Sequence, residues 1–169
     1  MSNQDILSFS KQLLPDTLLV PGESFFWSPK KNKITYKTAS ISESIGVWSM
    51  LHEISHALLN HTSYDSDLGL LKLEVEAWDE AEKLAKDIGI EISDNHIQDC
   101  LDTYRDWLHR RSSCPNCNII CLQSSSIVYK CHNCATSWNV SASRFCRPYR
   151  LQINEQKQEK SQLILATFQ

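Results

Sequence analysis

The stretch LHEISHALL, Leu51 to Leu59, sets two histidines and a glutamate inside an otherwise apolar run. Given a helical period, His52 and His56 project from one face, and Glu53 sits one step around the axis. Two imidazoles so placed can bind one zinc ion, and a carboxylate beside them can act on a zinc-bound water. The helix that carries them is predicted to start at SISE, residues 40–43, where Ser40 and Glu43 have capping-box spacing. It runs to Asn60 and is apolar nearly all round: Ile45, Val47, Trp48, Leu51, Ile54, Leu58 and Leu59. Such a helix belongs in the middle of a core.

A catalytic zinc usually takes three protein ligands and a water. The next helical segment, DLGLLKLEVEAWDEAEKLAKDIG, is expected to be capped by Asp67 and ended by Gly89. Its apolar stripe is Leu70, Ala77, Ala81, Leu84 and Ile88, and Glu74 interrupts it. A carboxylate in a buried stripe is costly unless it is paired or bound to a cation. Glu76 falls instead with Lys72, Asp79, Lys83 and Lys86 on the wet face. Helical phase therefore selects Glu74 as third ligand. Without a metal, the same residues would be core histidines hydrogen-bonded to Glu74. His61, five residues beyond His56 at the helix end, is the other local candidate for third ligand but reads better as a surface residue or a C-terminal cap. The longer pattern HExxHxxGxxH fails, because Leu59 and Thr62 stand where Gly and His are required.

Around this pair lie further elements. ILSFSKQLL before Pro15 reads as a first helix. Residues 16–37 read as two or three short strands, with a hairpin between FFW and ITY. Another amphipathic helix is expected from Asp94 to Arg110, with the stripe Ile97, Cys100/Leu101, Tyr104 and Trp107/Leu108. Cys100 is expected in the core.

The pattern changes at SSCPNC. CPNC (114–117) and CHNC (131–134) are two C-x-x-C knuckles separated by 13 residues, the spacing of a structural zinc ribbon held by Cys114, Cys117, Cys131 and Cys134. The intervening NIICLQSSSIVYK suits a hairpin. So short a module needs the metal to fold. Cys121 and Cys146 are left over, and His132 is a conceivable substitute for a thiolate.

The 169 residues carry a net charge of −3, unevenly distributed. Residues 1–109 hold 9 basic against 18 acidic side chains, whereas 110–150 hold six basic and no acidic ones. The basic ribbon with Tyr129, Trp138, Phe145 and Tyr149 makes nucleic acid a conceivable but not the favoured partner, beside a protein-docking role. No apolar run approaches the roughly 20 residues of a membrane span. The opening MSNQDILSFSKQLLP lacks the pattern of a signal peptide. Seven cysteines, an odd number, go with reduced thiols and a cytoplasmic location, with no membrane partner.

HEISH followed by Glu74-Val75-Glu76-Ala77 resembles the gluzincin metallopeptidases, and among them the small ImmA/IrrE-like family. The resemblance covers roughly residues 30–90. It implies one catalytic zinc on His52, His56 and Glu74, with Glu53 as general base. Trp78 stands where that family has Asn or Asp, so a supporting hydrogen bond is either missing or supplied by Asp79. No helix-turn-helix segment is evident. Tyr64, His61 and His96 are the candidates for an oxyanion or substrate donor.

The expected architecture is α+β. It consists of a small gluzincin-type metallopeptidase domain over residues 1–111, with a short β-sheet and three or more helices. A zinc ribbon over 112–150 and a polar, flexible tail over 151–169 follow. The expected function is zinc-dependent hydrolysis of a peptide bond in a protein substrate, with two zinc ions per chain and the ribbon as adaptor. A SprT-like protease acting on DNA-bound proteins ranks lower, because its third ligand is a histidine in an H-G-x-x-F setting absent here. A non-catalytic, zinc-stabilised binding module for protein or nucleic acid is the third reading.

Overall fold

The computed structural model describes residues 3–141 and 149–153. Arg144, Phe145, Cys146 and Arg147 lie outside the described residues, as does the expected tail beyond residue 153. The architecture is mixed α and β. The chain divides into two compact units, 1–103 and 104–169, and the division falls inside helix α4 (Asp94–Ser112). Among the described residues no helix is long and apolar enough to cross a membrane.

The first unit contains α1 (Asn3–Leu13), β1 (Leu18–Gly22), β2 (Phe26–Ser28), β3 (Lys33–Lys37), α2 (Ser44–Leu58), α3 (Asp67–Asp87) and the first part of α4. The expected hairpin is β2–β3, an antiparallel pair matching Phe26 with Thr35 and Ser28 with Lys33. Strand β1 lies along the other side of β3 in parallel, giving the order β1-β3-β2. Strand direction leaves no mark on side-chain alternation, so the sequence carries no sign of this parallel neighbour. Strand β2 is thereby an edge.

Two helix starts differ from expectation. Helix α2 begins at Ser44, and Ser40–Glu43 is a turn closed by Glu43 N–H donating to the Ser40 carbonyl at 3.0 Å. Glu43 occupies the N-cap position without a side-chain bond. The turn folds back over the first helical turn so closely that a Cβ at Gly46 would lie 1.8 Å from the Ser40 carbonyl oxygen. That packing displaces the capping box. Helix α3 is capped by Ser66, whose Oγ accepts from Gly69 N–H at 3.0 Å. Asp67 lies one position inside, buried, where the helix dipole favours its charge. Gly89 ends α3 as expected, at φ +69°.

The core of this unit is built from Ile6, Ile34, Ile41, Met50, Leu51 and Ile54, all fully buried. Ala81 and Leu84 of α3 and Ile97 and Leu101 of α4 complete it. Each such large aliphatic contributes about 1.5–3 kcal/mol of burial. Helix α2 is central, but its ends are not enclosed: Ile45, Leu58 and Leu59 are exposed. Small side chains at Ala77 and Ala81, both fully buried, lie on the α3 stripe that packs against α2.

The second unit is the cysteine module. Strands β4 (Gln123–Ser125), β5 (Val128–Lys130), β6 (Ser137–Val140) and β7 (Arg150–Gln152) form one antiparallel sheet in sequence order. The expected hairpin is β4–β5. Tyr129 and Trp138 are fully buried and stack at 5.5 Å within its small core, so their faces are not presented to solvent. Trp138 donates its indole N–H to the Arg111 carbonyl at 2.9 Å, and the Arg111 guanidinium lies 4.3 Å from the Trp107 ring. Tyr149 is exposed.

Candidate metal centres

Helix α2 presents His52 and His56 on one face, and the packing of α3 brings Glu74 up to them. The three side chains are nearly closed off, at 10%, 12% and 8% side-chain exposure. Nε2 of His52 lies 3.2 Å from Glu74 Oε2, Nε2 of His56 lies 3.6 Å from the same oxygen, and the two Nε2 atoms are 3.1 Å apart. Imidazole and carboxylate ligands bind at about 2.0–2.1 Å, so neighbouring ligands of a tetrahedral ion are about 3.4 Å apart. The observed triangle has that size. Two ring nitrogens and one carboxylate oxygen converge on a point. They are a fitting donor set for a divalent metal ion.

The electrostatics agree. Burial works against charge on Glu74, but the bonds and fields of His52 and His56 outweigh it and hold the carboxyl at about 2. Glu53 behaves in the opposite way. Burial pushes its carboxyl above the ordinary range, a trend only partly offset by the two imidazoles and by Trp27 N–H. That N–H, on edge strand β2, donates to Glu53 Oε2 at 2.6 Å. Glu53 is not one of the three converging groups; it stands beside them, held by the sheet.

The surroundings of the two histidines differ. His52 lies against Trp78, ring centroids 4.2 Å apart, and its Nδ1 is buried without a hydrogen-bond partner among the described residues. Asp79 is exposed. Neither Trp78 nor Asp79 bonds that Nδ1. His56 has its Nδ1 2.8 Å from Nδ1 of His61, whose side chain is only 8% exposed. The ring of His61 is thus neither on the surface nor capping the helix. Tyr64 is exposed. His96 lies near the rings of Trp48 and Trp78, with its Nε2 3.7 Å from Cys100 Sγ. Burial lowers the pKa of His96 and raises that of Cys100.

Trp27, which has no signal in the sequence, also donates its indole N–H to the His61 carbonyl at 3.1 Å, and Glu76, on the wet face as expected, has its Oε2 3.6 Å from His61 Nε2.

In the second unit Cys114, Cys117, Cys131 and Cys134 gather into a cluster able to hold a metal ion. The Sγ atoms of Cys114 and Cys134 are 3.6 Å apart and those of Cys117 and Cys131 are 3.5 Å apart. A tetrahedral ion with thiolate bonds of about 2.3 Å asks for roughly 3.8 Å. Cys134 N–H reaches Cys131 Sγ at 3.5 Å, a knuckle bond that favours a thiolate. The Thr136 hydroxyl and backbone lower the Cys134 pKa to about 5. Cys121 is buried beside the cluster with its Sγ on the Ile119 carbonyl, and is not among the four. Comparison with protein-family models, curated proteins and solved structures finds no match for this chain.

Proposed function

We propose that the protein is a zinc-dependent endopeptidase of the gluzincin type, similar to the ImmA/IrrE-like group. One zinc would sit on His52, His56 and Glu74 and a second, structural zinc on Cys114, Cys117, Cys131 and Cys134. The observation that carries this reading is the 3.1–3.6 Å triangle of His52, His56 and Glu74 with Glu53 standing beside it. Bound there, zinc would acidify a water and polarise the scissile carbonyl.

The remaining work falls to the chain. Glu53 accepts the proton and returns it to the leaving amine, and its raised pKa brings it nearer neutral pH, where a general base is most useful. The Trp27 amide fixes one carboxylate oxygen and leaves the other for the proton. Glu74, held ionised, supplies the negative charge that offsets a divalent cation. The substrate is a peptide bond in a protein, and the ribbon serves as its adaptor. Four clustered thiols that bind metal only when reduced accord with a cytoplasmic setting.

The test is metal analysis of the intact protein together with cleavage of casein as an unfolded substrate. Two zinc ions per chain are expected. Glu53→Gln should keep both and lose about 10²–10⁴-fold in rate. A single ion per chain, or undiminished cleavage by the variant, would refute the enzyme reading.

A further inference from the structure

Helix α2 ends in an arrangement that leads to a second role beside the metal ligands. Asn60 adopts the left-handed conformation at φ +54°. Its N–H donates to the Ala57 carbonyl at 3.1 Å, and the N–H of His61 donates to the His56 carbonyl at 2.9 Å. This is the paired bond set of a Schellman ending, in which the chain doubles back over the last turn. The residue after the left-handed position is thereby carried to the residue five earlier, which here is His56. Trp27 pins the returning backbone from the other side through the His61 carbonyl. The helix end is already capped by backbone bonds, so the His61 ring is not needed for capping. Its edge is spent on His56, with ring centroids 5.0 Å apart.

We propose that His61 is a positioning residue for the metal ligand His56. A histidine that ligates through Nε2 carries its ring proton on Nδ1, and ligand histidines usually give that N–H to a carboxylate, a carbonyl or a water. For His56 the acceptor is Nδ1 of His61, at 2.8 Å. His61 then carries its own proton on Nε2, 3.6 Å from Glu76 Oε2, outside hydrogen-bond reach but within its field. Within the pair, His61 fixes the tautomer and orientation of His56. Among the described residues His52 has no such partner on its Nδ1, so there the pair of imidazoles is anchored from one side.

This inference rests on the metal site proposed above, and the experiment separates the two. The full chain is loaded with zinc, and the affinity of the non-thiolate site is measured by competition with graded chelators. The ring tautomer of His56 is read by nitrogen-15 imidazole spectra of the loaded protein. His61→Phe, which keeps a ring but no acceptor, should weaken that site by about 10–100-fold and abolish the protected Nδ1–H signal of His56. The thiolate-bound ion should be unaffected. His61→Asn places a carbonyl oxygen near the lost Nδ1 and should restore most of the affinity and the signal. Glu76→Gln should cost less than His61→Phe. If the unaltered chain loads two ions and His61→Phe binds as tightly as it does, the positioning role is wrong and the site stands. If His61→Asn is as weak as His61→Phe and the His56 signal is unchanged in both, His61 only fills space. If the unaltered chain takes up only the thiolate-bound ion, both proposals fall.

Discussion

Replacing Glu74 by Gln keeps shape and removes charge. In the metal-free site the Glu74 carboxyl is held at about 2 against an ordinary 4.5. A depressed carboxyl stabilises the fold above its unfolded value and loses that contribution as pH falls through the folded one. At about 1.4 kcal/mol per unit, the contribution is on the order of 3 kcal/mol at pH 5.5 and on the order of 1 kcal/mol at pH 3. Glutamine still accepts one bond from His52, so the variant should lose somewhat less than the full amount at pH 5.5. Its stability should also respond less to pH between 5.5 and 3. The assay is urea unfolding followed by tryptophan fluorescence, after a chelator has removed one equivalent of metal and left the thiolate-bound ion. With metal present, Glu74→Gln should retain only one zinc at concentrations that load the unaltered chain with two. A variant as stable as the original at pH 5.5, still holding two ions, would show that Glu74 does not face the imidazoles in the way described.

Glu53→Gln should raise the melting temperature of the chelator-treated protein at pH 7. Burial lifts the Glu53 carboxyl, so its charged form costs stability above the ordinary carboxyl value, and the gain should vanish near pH 4; a loss of stability at pH 7 would contradict it. Gly46→Ala should destabilise by roughly 1–3 kcal/mol or more in denaturant titration, because its Cβ meets the Ser40 backbone rather than a movable side chain. Cys131→Ser should lower the metal content by one and, since a structural zinc supplies on the order of 10 kcal/mol, leave the amides of β4–β7 unprotected in hydrogen exchange; retained protection would mean that the module folds without its ion.

Much of the first site was legible because it depends on helical phase. Glu74 stands on the stripe of Ala77, Ala81 and Leu84, and a period of 3.6 aims it at the neighbouring helix whatever the rest of the chain does. The cysteine knuckles were legible for a different reason, since thiolate spacing is dictated by the ion. His61 departs from the expected surface position because the helix ends at Leu58 and the chain turns back at Asn60. The signal lay in Asn60 itself, a residue that tolerates the left-handed conformation and, just past an apolar helix, predicts that the chain turns back. The capping box at Ser40 failed because local propensity was overridden by a tertiary contact at Gly46. The place of Trp27 had no signal, since it acts through a backbone N–H whose direction depends on strand pairing.

Trp27 links the β-sheet to the histidine site at two points, its amide to the Glu53 carboxylate and its indole to the carbonyl of the returning turn. Both bonds belong to one residue of an edge strand, so a single loss of β2 pairing would release the Glu53 carboxylate and the His61 turn together.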